Sequence, residues 1–138
     1  MHETFLTLDL GTTALKTALI SSEGTALGVY TVEYTPQAPR PDWAEMPPEV
    51  YWRAAVEGTR AVCEQTSTDP STLAGIGFSS QAQTFIPIDR AGRPLYNAIL
   101  WVDNRAQEIA DAWEASGLSR LYAPSTSLGC CWQPSNTI

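Results

Sequence analysis

Three apolar runs divided by two very short turns open the chain, and no other feature limits its folding so strongly. Phe5-Leu6-Thr7-Leu8-Asp9-Leu10 is closed by Gly11-Thr12-Thr13, and a second run follows over Ala14 to Ile20. Ser22-Glu23-Gly24 then supplies a turn before a third run, Ala26 to Tyr34. Each run has the length of a strand and ends in turn chemistry. Parallel neighbours need a long crossover, so strands this close must pair antiparallel. The spacing predicts a three-stranded meander.

Five prolines between Pro36 and Pro48 break regular structure. A helix is predicted over Glu49 to Gln65, where Trp52, Val56, Thr59 and Cys63 recur at helical spacing and Arg53, Glu57, Arg60 and Glu64 line another face. Pro47 and Pro48 suit its first turn, and Glu49 complements the positive end of its dipole. Further strands are predicted over Leu73 to Ser80, Thr84 to Asp89 and Tyr96 to Trp101. A last helix runs from about Arg105 to Ser116, with Asn104 and Gln107 resembling a capping box and Gly117 a stop. From Tyr122 onward the pattern is loop-like. Trp43 and Trp52 are expected to anchor packing, and Trp113 to share a core face with Ile109. Together these segments predict an α/β domain built on a mixed sheet.

At 138 residues the chain suits one domain with a proper core. Its net charge of -7 argues against nucleic acid or an anionic membrane, both of which call for a cationic face. No run approaches a membrane span, and Met1-His2-Glu3-Thr4 does not open a signal peptide. Cys63 stands alone and Cys130-Cys131 are vicinal, an unpatterned set that fits a reducing compartment. A cytoplasmic location is therefore expected. His2 is the only histidine, which argues against a His/Cys metal site or a His-activated nucleophile.

The segment Asp9-Leu10-Gly11-Thr12-Thr13-Ala14-Leu15-Lys16 carries the strongest chemical signal. Gly11 lets the backbone come close to an anion, while the amides and hydroxyls of Thr12 and Thr13 can donate to phosphate oxygens. Asp9 repels phosphate directly, so its useful task is to hold Mg²⁺ through water, and Lys16 adds positive charge. A plain hairpin in which Asp9 and Gly11 only shape the turn is the competing explanation. The spacing is not that of a P-loop.

This opening resembles the first phosphate motif of the sugar kinase, Hsp70 and actin superfamily. Three further blocks narrow the resemblance to the FGGY carbohydrate kinases. They are the segment from Pro41 to Trp52, the run Ile76-Gly77-Phe78-Ser79-Ser80-Gln81, and the stretch from Gly92 to Arg105 with its Trp101-Val102-Asp103-Asn104-Arg105 end. The four blocks stand in family order. The resemblance implies a ribonuclease H-like, actin-type mixed sheet with flanking helices, of which residues 1–138 would be the incomplete N-terminal part of the first, substrate-binding lobe. It implies ATP and Mg²⁺ as cofactors and a sugar, ketose or polyol hydroxyl as acceptor. Asp9 would serve the metal, and Gly11, Thr12, Thr13 and Lys16 the phosphates. Gln81, Ala82 and Gln83 would stand where the family contacts its polyol.

Trp101 and Asp103 admit two readings. Trp101 can lie on the sugar's apolar face with Asp103 or Arg105 bonding hydroxyls, or Trp101 can be core with Asp103 or Asn104 capping a helix. Ser80-Gln81-Ala82-Gln83-Thr84 matches neither Asn-Gln-Arg-Glu-Thr, as in glycerol kinases, nor Gly-Gln-Met-His-Gly, as in xylulokinases. The particular substrate therefore stays open. The resemblance puts the general base and the second, nucleotide-binding lobe beyond residue 138, so the chain alone is expected to be inactive and to self-associate through exposed edges. A non-catalytic binding or assembly module derived from the kinase lobe is the alternative.

Overall fold

The computed structural model describes residues 3–117, and Cys130, Cys131, Trp132 and the loop predicted after Tyr122 lie outside the described residues. Two units divide the chain, residues 1–103 and residues 104–138. In the first, β1 (Thr4–Leu10), β2 (Ala14–Ser21) and β3 (Ala26–Glu33) form the predicted meander. Gly24, at φ +82°, sits in the second turn, where its amide donates to the Ser21 carbonyl.

Helix α1 (Pro48–Thr66) then crosses over the sheet, and β5 (Gly75–Ser80) returns parallel to β1. The mixed sheet therefore has the order β3-β2-β1-β5. A single 3-10 turn, Pro70–Thr72, precedes β5, with the Asp69 side chain accepting from the Ser71 amide. Strand alternation sends Leu6 and Leu8 of β1 and Leu15, Thr17 and Leu19 of β2 to one face, where all five are buried. Helix α1 covers this face with Ala54, Gly58, Val62 and Cys63.

The helix stands where expected, but its buried face differs. Tyr51, Ala54, Gly58 and Val62 point inward, whereas Trp52 is 72% exposed and so anchors nothing. Close approach to the sheet needs small side chains at the contact, and that requirement overrides the apolar stripe. Trp43 is half-buried with the Arg40 guanidinium 4.8 Å above its ring.

The proline-rich segment holds one short strand, β4 (Glu45–Met46), paired with β6 (Ala98–Ile99). Met46, Tyr51, Ala98 and Leu100 form a core of their own there. The strand predicted over Thr84 to Asp89 is absent, replaced by two isolated bridges, Phe85 with Ile99 and Ile88 with Pro94. The strand over Tyr96 to Trp101 shrinks to β6. Pro87 and Pro94 have no amide to donate to a ladder. Asp89 also captures the amides of Ala91 and Arg93 at 2.8 and 2.9 Å, which curls the backbone into a turn.

The second unit contributes α2 (Gln107–Ser116). Ala106 occupies its N-cap without a side-chain capping bond, so the Asn104–Gln107 box does not form, and Gln107 bonds Asp111 at 2.7 Å instead. Gly117, at φ +77°, ends the helix as predicted. Ile109 and Trp113 are exposed, not core.

Candidate functional site

Strands β1 and β5 run parallel, so their C-terminal ends meet at one end of the sheet. The Gln81 amide donates to the Leu10 carbonyl at 2.8 Å, which joins the turn after β1 to the loop after β5. Asp9 lies across from Lys16 of β2 and Ser79 of β5, on the face that α1 leaves uncovered. Both Asp9 and Lys16 are exposed.

Within the turn, Gly11 is engaged on both sides. Its amide donates to the Ala14 carbonyl at 2.9 Å and its carbonyl accepts from the Tyr34 hydroxyl at 2.7 Å. A Cβ there would sit 3.0 Å from the Ala14 carbonyl oxygen. The glycine is needed for the turn's own closure, and its amide does not face outward. The amides of Thr12 and Thr13 make no hydrogen bond among the described residues, and Thr13 is exposed.

The Thr12 side chain is tied inward. Its hydroxyl accepts from the Trp101 indole Nε1 at 2.9 Å and donates to Gln81 Oε1 at 3.0 Å. Gln81 Nε2 in turn donates to the Tyr51 hydroxyl at 3.0 Å. The rings of Tyr51 and Tyr34 meet edge to face, 5.6 Å between centroids. Burial, then the neighbouring Tyr51 and Asp9, push the Tyr34 hydroxyl up to about 12. Burial raises Tyr51 too, against a lowering by the Gln81 bond. Both phenols are thus neutral at ordinary pH, Tyr34 donating to Gly11 and Tyr51 accepting from Gln81.

Ala82 and Gln83 follow on the exposed loop, and Gln83 adopts φ +60°, a conformation uncommon outside glycine. Trp101 is half-buried, its amide donating to Thr84 Oγ1 at 3.3 Å. Asp103 Oδ2 accepts from the Ala44 amide at 2.6 Å, so its carboxylate fastens the proline-rich segment. The turn, Gln81 and Trp101 are therefore drawn together, and Asp103 is bonded to the Ala44 amide. Tyr34 and Tyr51 escaped the sequence reading, because an aromatic at the end of a strand or inside a helix gives no sign that its hydroxyl supports a turn elsewhere.

Among the described residues no three His, Cys, Asp or Glu side chains cluster to hold a metal. One exposed carboxylate at a strand end, beside two amides with no hydrogen bond among the described residues, suits an ion that keeps most of its waters. Asp9 thus fits Mg²⁺, which is reluctant to shed water, and does not build an all-protein cage.

The turn after β1 thus lies at the end of a mixed sheet, bonded to a polar loop beside it. Residues 4–137 match the model of the N-terminal domain of the FGGY family of carbohydrate kinases, and the chain belongs to that family. A glycerol kinase of Thermococcus gammatolerans is 35% identical over 111 residues, which cover 80% of this chain and 22% of that protein. The crystal structure of gluconate kinase from Lactobacillus acidophilus superposes with a TM-score of 0.79 at 26% identity, over 89% of this chain and 25% of that one. Plasmodium falciparum glycerol kinase with ADP gives a TM-score of 0.75 at 25% identity, over 83% of this chain and 23% of that one. The fold is accordingly the actin-like ATPase type. The chain spans about a quarter of the length of these proteins.

Proposed function

We propose that the chain provides the phosphate turn and part of the substrate loop of a kinase that moves the γ-phosphoryl of ATP to a sugar or polyol hydroxyl. What supports this most is the junction of Leu10 with Gln81, which holds the turn of Asp9 to Thr13 against the loop of Gln81 to Gln83. Transfer breaks the bond between the γ-phosphorus and its bridging oxygen, forms one to the acceptor oxygen, and releases the hydroxyl proton to a base. Because the chain spans about a quarter of the length of its kinase relatives, we expect it to show no sugar-dependent ATP consumption above background.

In this proposal the amides of Thr12 and Thr13, the Thr13 hydroxyl and Lys16 meet the phosphate oxygens. Asp9 would hold Mg²⁺ through its water shell, and the ion would supply charge neutralisation between phosphates. Ala82 and Gln83 would face the acceptor, and Gln83 can both donate to and accept from hydroxyls. Glycerol, gluconate and pentuloses are all candidates, because Ala82 and Gln83 match neither of the two substrate patterns set out above. A thermal-shift screen of alditols, aldonates and ketoses with Mg·ATP tests this, since a ligand of the folded state raises its melting temperature. A reproducible rise with one compound, lost in Gln83→Ala, is expected. No response to any of them at tens of millimolar would count against a sugar site on this loop.

A further inference from the structure

The Thr12 hydroxyl has a single proton and two lone pairs. Trp101 Nε1 can only donate, so one lone pair is committed to it. With Gln81 Oε1 turned toward Thr12, the proton is spent inward, and the hydroxyl offers an incoming anion nothing but a lone pair. That arrangement repels phosphate.

Turning the Gln81 amide over reverses both of its own bonds while keeping both partners, and leaves the Trp101 bond as it is. Nε2 then donates to Thr12, the Thr12 proton is driven outward, and Oε1 accepts from the Tyr51 hydroxyl. The number of hydrogen bonds is the same in both arrangements, and the last torsion of a glutamine is broad and roughly two-fold. Tyr51 can donate because a phenol carries its own O–H proton, which the first arrangement leaves unused toward Gln81. An anion interacts differently with the two arrangements, and a ligand shifts an equilibrium by just that difference.

We propose that Gln81 is a positioning residue whose amide sets the direction of the Thr12 proton, turning the hydroxyl into a phosphate donor when the turn is occupied. Trp101 is the fixed end of this relay and Tyr51 the reversible one. Gln81 also begins the loop that carries Gln83, so occupancy of the turn is felt at the first residue of the substrate loop. This rests on the phosphate-binding role proposed above.

The test follows the backbone amide signals of Thr12 and Thr13 while the chain is titrated with magnesium tripolyphosphate. Thr12→Val should weaken binding about tenfold, the worth of one hydrogen bond to a charged group. Gln81→Glu accepts only, so it holds the Thr12 proton inward and should weaken binding at least as much. The deciding comparison is Gln81→Glu in the Thr12→Val background. If Gln81 acts through the Thr12 proton, the glutamate should cost little there. An equal loss in both backgrounds would mean plain charge repulsion and would overturn the proposal. Gln81→Leu frees the proton and should retain binding within a few-fold; a loss as large as that of the glutamate would also overturn it. Should saturating tripolyphosphate move neither amide in the unaltered chain, the phosphate role of the turn falls first, and this inference with it. The Trp101 indole signal, assigned by Trp101→Phe, reports whether each variant keeps the folded relay.

Discussion

A Cβ built on Gly58 would lie 2.3 Å from the hydroxyl oxygen of Thr17, so helix α1 rests on β2 at a point where only glycine fits. Thr17 is fully buried, and its hydroxyl has no hydrogen-bond partner among the described residues. Alanine gains about 1 kcal/mol of helix propensity over glycine, whereas overpacking a buried contact costs about 1–3 kcal/mol. Gly58→Ala should therefore destabilise the domain on balance. In a Thr17→Ala background the obstructing oxygen is gone and the Thr17 Cβ, 3.2 Å away, remains, so the same change should cost clearly less. Urea unfolding of the four proteins measures this coupling, and simple additivity would show that the contact is not tight.

Alkaline stability should report the phenol pair behind the turn. The Tyr34 hydroxyl titrates near 12 in the folded protein, against 10.0 when unperturbed. Between those values the native state binds more protons than the unfolded one, so stability falls as pH rises through that window and is fully present below it. Tyr51 is raised as well and acts in the same direction. Tyr34→Phe should make the decline shallower, while lowering stability at neutral pH by about 1 kcal/mol through loss of its bond to the Gly11 carbonyl. Chemical denaturation across pH 8 to about 12 checks both effects.

Glu45 is 2% exposed and accepts from the Tyr96 hydroxyl at 2.8 Å and from Asn97 Nδ2 at 2.9 Å. It joins β4 to the segment entering β6. Glu45→Ala removes the acceptor from the half-buried Asn97 amide and from the more exposed Tyr96 hydroxyl, and should cost about 1–2 kcal/mol. Glu45→Gln, which keeps one acceptor oxygen, should cost less. Equal melting temperatures for all three proteins would refute this account of β4.

Much of the fold was legible in the sequence because the deciding signals are local. Gly11-Thr12-Thr13 and Ser22-Glu23-Gly24 each confine a turn, and two turns that short admit one way of pairing three strands. The position of α1 was legible, but its inward face was not. Trp52 and Val56 look like core by polarity, yet Ala54 and Gly58 lie inward because size governs how closely the helix approaches. The strand predicted over 84–89 failed where Asp89 offers the backbone a better partner than a ladder. At the site, Gly11 was recognised for its glycine character, though the space it frees serves the Ala14 carbonyl. The link from Trp101 through Thr12 and Gln81 to Tyr51 joins residues 89, 69 and 30 positions apart, and no spacing rule reaches that far.

The phosphate role of the first turn is tested most directly by amide chemical shifts on adding Mg·ATP, compared with ATP in the presence of a chelator. The Thr12 and Thr13 amides, which have no hydrogen bond among the described residues, should move together. Their shifts should depend on magnesium, and Asp9→Asn should abolish that dependence without lowering the melting temperature. Unmoved amides at saturating Mg·ATP, or identical titrations for the unaltered chain and Asp9→Asn, would contradict it.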